Sequence, residues 1–252
     1  MPFTFSHPAI ILPFNFFKKR WISLTGLIAG SISPDFEYFL RMIDYSVYSH
    51  TWRGLFWFDL PVAFILTFIY HGIVKKPMTD HLPGPLKRRL WRYRDFNWQS
   101  SLSKKWIIVL LCILLGAFSH LLWDTFTHET IHMAARIPSI NDILHINNHH
   151  KLTYFLFWDL SSVIGGVFII FSIWQLPVFK GAIKKNNALL YWGFILMATC
   201  IVFGFWLYVS DDPSFPNCTV ASVASFQLAL VFISFVYKYF PNGIRAPQYF
   251  NK

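Results

Sequence analysis

Five long apolar segments constrain this chain more than any other feature. They lie near residues 56–74, 106–124, 155–176, 188–210 and 220–239. A helix needs about 20 apolar residues to span a bilayer, and each segment is that long or nearly so. Charged residues make up only 13% of the chain, against about 25% in a soluble protein. We therefore expect an all-α fold, a polytopic transmembrane helical bundle with about five full spans.

Two shorter apolar stretches, 8–17 and 21–34, precede the first of these segments. At about 1.5 Å of rise per residue they would be roughly 15 to 21 Å long as helices, which is too short to cross a bilayer comfortably. We expect them to form a short N-terminal helical hairpin that packs against the other helices.

The net charge of +10 is distributed unevenly. Residues 75–105 carry nine Lys and Arg, whereas 125–154 carry only Arg136 and Lys151 and 211–219 carry none. Basic and non-basic loops thus alternate between spans, which is the positive-inside pattern. This pattern predicts a cytoplasmic C-terminus and indicates membrane lipids, not nucleic acid, as the partner of the basic loops.

The segment SHLLWDTFTHETIH, residues 119–132, places ionisable side chains at the end of the second span. His120, Asp124, His128 and His132 follow one another at steps of four, and each step turns a helix by only about 40°. Ionisable groups inside a span cost roughly 2.5–3.5 kcal/mol each, and a bound divalent metal would offset that cost. One histidine alone would more often be a hydrogen-bonded interfacial residue. The set instead predicts metal ligands at His120, Asp124 and His128, with His132 further around the helix.

Other ionisable side chains are expected on the same, outer side of the membrane. The predicted topology brings His7, Asp35 and His50 there, so that separate parts of the chain converge on one site. Asp59 falls in the first turn of a span, and Glu129 follows Asp124 on the outer side. Either acid could act as a general base or orient a ligand histidine.

Three further histidines leave the size of the site open. His145, His149 and His150 lie in a predicted loop, where they would be solvated residues or additional ligands. Imidazole and carboxylate groups suit zinc best here, with manganese or iron as alternatives. The three cysteines show no metal or disulfide spacing.

An internal similarity suggests a repeat. Residues 50–60 read HTWRGLFWFDL and residues 150–160 read HKLTYFLFWDL, each with His nine residues before Asp. The segments 21–74 and 107–176 would then be parallel hairpins paired about an axis normal to the membrane. We interpret the chain as one integral membrane domain, 1–252, with the metal-site bundle in 1–176 and two additional spans in 177–252.

The order of these motifs resembles that of the bacterial membrane-bound metal-dependent hydrolases. These are similar in turn to zinc-dependent phospholipase C and P1-type nuclease, which are all-helical metalloenzymes. The opening MPFTFSHPA is also similar to that of a bacterial integral membrane family without an assigned activity. The matching positions are His7 in TFSHPA, Asp35 in GSISPDFEYF, His50 in YSHTWRG, and His120 with Asp124 in SHLLWDT. The match covers roughly residues 1–165, and the tryptophan ligand at the N-terminus of phospholipase C is missing.

The resemblance implies a hydrolase of the bacterial inner membrane whose site faces the outer side. We expect it to cleave a phosphoester or related ester bond of a lipid or lipid-linked substrate with a metal-activated water. Two alternatives remain at this point. One is a non-catalytic membrane protein with a structural metal or polar cluster, and the other is an ion or proton carrier.

Overall fold

The computed structural model describes residues 4–16, 21–127, 150–183 and 186–240, without the side chains of 15–16, 126–127 and 150–158. Within these residues the regular structure is entirely helical, which confirms the predicted all-α class. Its α-helices are α1 Pro8–Ile11, α2 Leu24–Ile32, α3 Phe36–Arg41, α4 Leu60–Ile69, α5 Lys75–Asp80, α6 Gly84–Leu90, α7 Trp98–Thr127, α8 His150–Trp174, α9 Ala188–Val209 and α10 Phe215–Tyr239. Two π-helical segments, Leu55–Asp59 and Tyr70–Val74, join with α4 and α5 into one continuous helical run.

Four helical runs in the described residues are long and apolar enough to cross a membrane, so the chain is an integral membrane protein. They are Leu55–Asp80, Trp98–Thr125, Ala188–Val209 and Phe215–Tyr239. The fifth expected span, 155–176, overlaps α8, whose apolar stretch with described side chains is Asp159–Trp174. The two short N-terminal stretches form α1 and α2, which contact each other.

The chain folds as two compact units. Unit 1 comprises Met1–Glu37, Tyr45–Thr67 and Asn97–Gln175. Unit 2 comprises Tyr38–Asp44, Phe68–Phe96 and Leu176–Lys252.

Glycine residues bring α2 and α7 unusually close in unit 1. A Cβ added at Gly30 would lie 2.0 Å from the carbonyl oxygen of Ile113, and one added at Gly116 would lie 2.3 Å from that of Leu27. Small residues let helix backbones approach in this way inside membranes. The crossing therefore fixes the end of α2 against the middle of α7.

Two other contacts complete the part of unit 1 that surrounds this crossing. Ala63 of α4 packs in a buried apolar cluster with Ala29 of α2 and Ile113 of α7. On α8, Gly165 lies against Ser6, whose hydroxyl donates to the carbonyl of Ser162 at 2.8 Å. This second contact holds the N-terminal turn Thr4–Ser6, which directly precedes His7, against α8.

Unit 2 is built around the pair α9 and α10. The hydroxyls of Tyr191 and Ser234 hydrogen-bond across this pair at 2.7 Å. In the basic segment before α7, Arg94 makes a bidentate ion pair with Asp80 at 2.6 and 2.8 Å. Such a pair fixes the orientation of both side chains.

Candidate metal centre

Four buried side chains converge in unit 1. Asp35, His50, His120 and Asp124 each offer one ligand atom, and these atoms all lie within 4.8 Å of one another. The group joins three segments that are distant in sequence: the turn after α2, the loop before the first long helical run, and α7. It could hold a metal ion.

Asp35 reaches the centre from the 3-10 turn Ser33–Asp35 that follows α2. Ser33 supports the turn because its hydroxyl donates to the carbonyl of Gly30 at 2.9 Å. The carboxylate is only 1% exposed, and neither of its oxygens has a hydrogen-bond partner among the described residues. A buried carboxylate without donors is costly, so this position calls for a cation.

His120 and Asp124 lie one turn apart on α7, as their spacing predicts. The Nδ1 atom of His120 is 2.7 Å from the carbonyl oxygen of Ser31 and donates to it. This bond directs Nε2 at the acids, 3.1 Å from Asp124 Oδ2 and 3.4 Å from Asp35 Oδ1. A hydrogen bond at one ring nitrogen that frees the other is the usual support of a metal-binding histidine.

His50 lies on a loop, and its ring is oriented like that of His120, with Nδ1 near a hydrogen-bonding oxygen and Nε2 toward the acids. Its Nδ1 lies 2.9 Å from Ser49 Oγ and 3.3 Å from Ser46 Oγ. Its Nε2 lies 3.6 Å from an oxygen of Asp35 and 3.5 Å from one of Asp124. Burial opposes protonation of this ring, but hydrogen bonds and charges from both acids outweigh burial and raise the pKa of His50 to about 9.

His7 lies beside the four residues. Its ring stacks on that of His120 with centroids 3.7 Å apart, and its Nε2 is 3.7 Å from Asp124 Oδ1. Burial, helped by the neighbouring His120, lowers the pKa of His7 to about 3. Its neutral ring is therefore available as a further ligand.

The residues present fit a divalent cation. Burial would raise the pKa of Asp35, but the charge of the neighbouring His120 outweighs burial, so the acid is held ionised below its ordinary pKa. Two carboxylates and two imidazole Nε2 atoms face one point, and zinc, manganese and iron accept this donor set. Two positive charges at that point would neutralise both acids.

Asp59 is buried near the centre without belonging to the group of four. It ends the π-helical segment Leu55–Asp59, and both of its oxygens lack a hydrogen-bond partner among the described residues. It interacts electrostatically with His50 and His120. π-helical turns often occur at functional sites.

Several predicted residues cannot be compared with the structure. His128, Glu129, His132, His145 and His149 lie outside the described residues. His150 begins α8, but its side chain is outside the description as well.

Sequence reasoning missed Glu37. This residue is buried in the first turn of α3, two positions after Asp35, and its carboxylate accepts backbone hydrogen bonds from the loop that carries His50. Its position beside Asp35 in SPDFE was the available signal, but an acid in a first helical turn is also an ordinary terminal residue.

A model of one protein family matches residues 1–243, nearly the whole chain, and its description reads "Domain of unknown function (DUF4184)". The chain belongs to this DUF4184 family. No curated protein and no solved structure matched the chain. The similarity to membrane-bound metal-dependent hydrolases therefore stays a prediction.

Proposed function

We propose that this chain is a membrane-embedded, metal-dependent hydrolase of a phosphoester or related ester bond in a lipid or lipid-linked substrate. The observation that carries the proposal is the buried group of four ligands. Two carboxylates and two oriented imidazoles meet at one point in a chain with four described helices that are apolar enough to cross a membrane. Groups this costly in a membrane are usually retained for function.

Each residue has a specific part in the proposal. Asp35, His50, His120 and Asp124 would hold the ion, and His7 would add a neutral ligand or shield the ion from solvent. When bound, zinc would supply a Lewis acid that polarises an ester oxygen and lowers the pKa of water. Asp59 is a buried carboxylate without a described hydrogen-bond donor, and it would accept a proton as general base.

A groove in unit 1 supports a lipid substrate. It has a volume of about 330 Å³ and is lined by Trp52, Leu55, Phe56, Leu114, Leu115 and Phe118. The ring centroids of Trp52 and Phe118, both in its lining, are 5.9 Å apart. An acyl chain matches the apolar lining of this groove.

One observation favours a second function, a structural metal site. The side chains of the four ligands are between 0% and 9% exposed, and closed sites with four protein ligands are typical of structural zinc. In that case the ion would stabilise unit 1 without turnover.

Lipid hydrolysis by the purified protein in nanodiscs separates the two functions. We expect zinc-loaded wild-type protein to release a headgroup from phospholipid and Asp124→Asn to release none. Asp59→Asn should keep its zinc and lose most of the turnover, since general bases contribute about 10²–10⁴-fold. Stoichiometric zinc without cleavage of any phosphoester or carboxylic ester lipid would refute the hydrolase and support the structural site.

A further inference from the structure

Three backbone N–H groups in the loop that carries His50 donate to one buried carboxylate, that of Glu37. Glu37 Oε1 accepts from the backbone N–H of Val47 at 2.9 Å, and Oε2 accepts from those of Tyr48 and Ser49 at 2.8 Å each. Glu37 is only 2% exposed. Hydrogen bonds to an ionised acceptor are about twice as strong as neutral ones, so these three bonds fix the backbone of residues 47–49.

This loop leads directly to the proposed ion. Ser49 gives its N–H to Glu37, and its hydroxyl lies 2.9 Å from His50 Nδ1. If Nδ1 donates to the hydroxyl, Nε2 carries a lone pair toward the two acids. If the hydroxyl donates to Nδ1, Nε2 carries the proton and cannot bind a metal. The position of the Ser49 hydroxyl therefore influences which tautomer of His50 is present in the centre.

We propose that Glu37 is a positioning residue of the metal centre, which acts through Ser49 to orient His50 toward the ion. The inference rests on the proposed binding of a divalent ion but not on hydrolysis. Because Asp35 and Glu37 are two residues apart, one short segment supplies both a ligand and the anchor of the loop that bears another ligand. Metal binding and the conformation of residues 47–50 are therefore coupled.

Glu37→Gln is the informative substitution, because it keeps the shape of the side chain and removes its charge. An amide has one acceptor oxygen, so it can satisfy at most two of the three N–H donors in this arrangement. The loop should still form, but with a weaker hold on residues 47–49. Substitutions that disturb the hydrogen-bonded support of a metal ligand typically weaken metal affinity about 10–100-fold.

The test measures the zinc affinity of the full chain in detergent by competition with a chromophoric chelator. We expect Glu37→Gln to bind zinc about 10–100-fold more weakly than wild type. His50→Ala should also weaken binding, and the double variant should bind no more weakly than His50→Ala alone, because Glu37 acts through His50. Asp80→Asn, which removes a carboxylate acceptor in unit 2, is the matched control and should leave the affinity unchanged.

Two results of this affinity measurement would overturn the inference. One is a zinc affinity of Glu37→Gln equal to that of wild type. The other is a double variant whose loss of zinc affinity equals the sum, in free energy, of the losses in Glu37→Gln and His50→Ala. Should Glu37→Gln fail to fold, Ser49→Ala tests the same path without removing the loop anchor, and unchanged affinity there would also overturn it. If wild-type protein binds no zinc, the metal centre itself fails, and the proposed function fails with it. If the wild-type protein binds zinc and Glu37→Gln binds it equally tightly, only the positioning role of Glu37 is refuted.

Discussion

Replacing Gly30 by alanine should separate α2 from α7 and distort the candidate metal centre, although Gly30 is not one of its ligands. The new Cβ would lie 2.0 Å from the backbone oxygen of Ile113, where ordinary contact begins at 3.4 Å. The atoms in the way are backbone atoms of Ile113, so no flexible side chain can move aside. The helices must therefore separate by about 1.4 Å, the difference between these two distances. The 2.7 Å bond from His120 Nδ1 to the Ser31 carbonyl, which lies next to Gly30, would then stretch to about 4 Å and be lost.

The expected cost combines two effects. Overpacking costs about 1–3 kcal/mol, and an unsatisfied buried hydrogen-bonding group costs about 1–3 kcal/mol more. Thermal unfolding of the purified variant should show a lower melting temperature, and zinc titration should show weaker binding. Gly166→Ala in α8 is the control, because a Cβ there meets nothing within 4 Å. If Gly30→Ala has the same melting temperature and the same zinc affinity as Gly166→Ala, the close crossing of α2 and α7 does not support the centre.

The remaining predictions concern the ion itself. Asp35→Asn removes a proposed ligand. Loss of a residue that only supports a ligand lowers metal affinity by up to about 100-fold, so zinc affinity measured by chelator competition should fall by at least that factor. Stoichiometric zinc at wild-type affinity would contradict this. A chelator should destabilise the wild-type protein by about 2.7 kcal/mol relative to zinc at 100 times its Kd. At the same zinc concentration, a site weakened about 100-fold in Asp35→Asn would contribute at most about 0.4 kcal/mol in the same unfolding assay. In the metal-free protein the pKa of His50 is raised from 6.5 to about 9, so its contribution to stability is complete below pH 6.5 and is lost as the pH rises through about 9. Zinc binds only the neutral His50 ring, so the zinc affinity should increase over this pH range, and binding should release a proton that an indicator dye detects. Binding that does not depend on pH would argue against His50 as a ligand.

The apolar segments and the spacing of His120 and Asp124 could be interpreted from the sequence alone. Hydrophobic length predicts spanning helices directly, and two residues four apart on a helix share a face. The positions of Asp35 and His50 were harder to predict, because no local period connects them to α7. The alternating loop charges, the similarity of 21–74 to 107–176 and the resemblance to metal-dependent hydrolases were the indications that these residues would meet.

Other features depend on tertiary contacts that the sequence does not encode locally. Gly26 and Gly30 form a small-xxx-small pattern that predicts a close helix crossing, but nothing near them identifies Gly116 as the partner. Glu37 resembles any acid in a first helical turn until the loop at 47–49 folds over it. The π-helical turn that carries Asp59 has no sequence signature that we could have used.

X-ray absorption at the zinc edge tests the central claim most directly, namely that Asp35, His50, His120 and Asp124 hold one divalent ion. Metal analysis of the wild-type protein in detergent should give one zinc per chain. The absorption spectrum should show only nitrogen and oxygen neighbours at about 2.0–2.2 Å. A protein that takes up no zinc, or a zinc with sulfur neighbours at about 2.3 Å, would contradict the account.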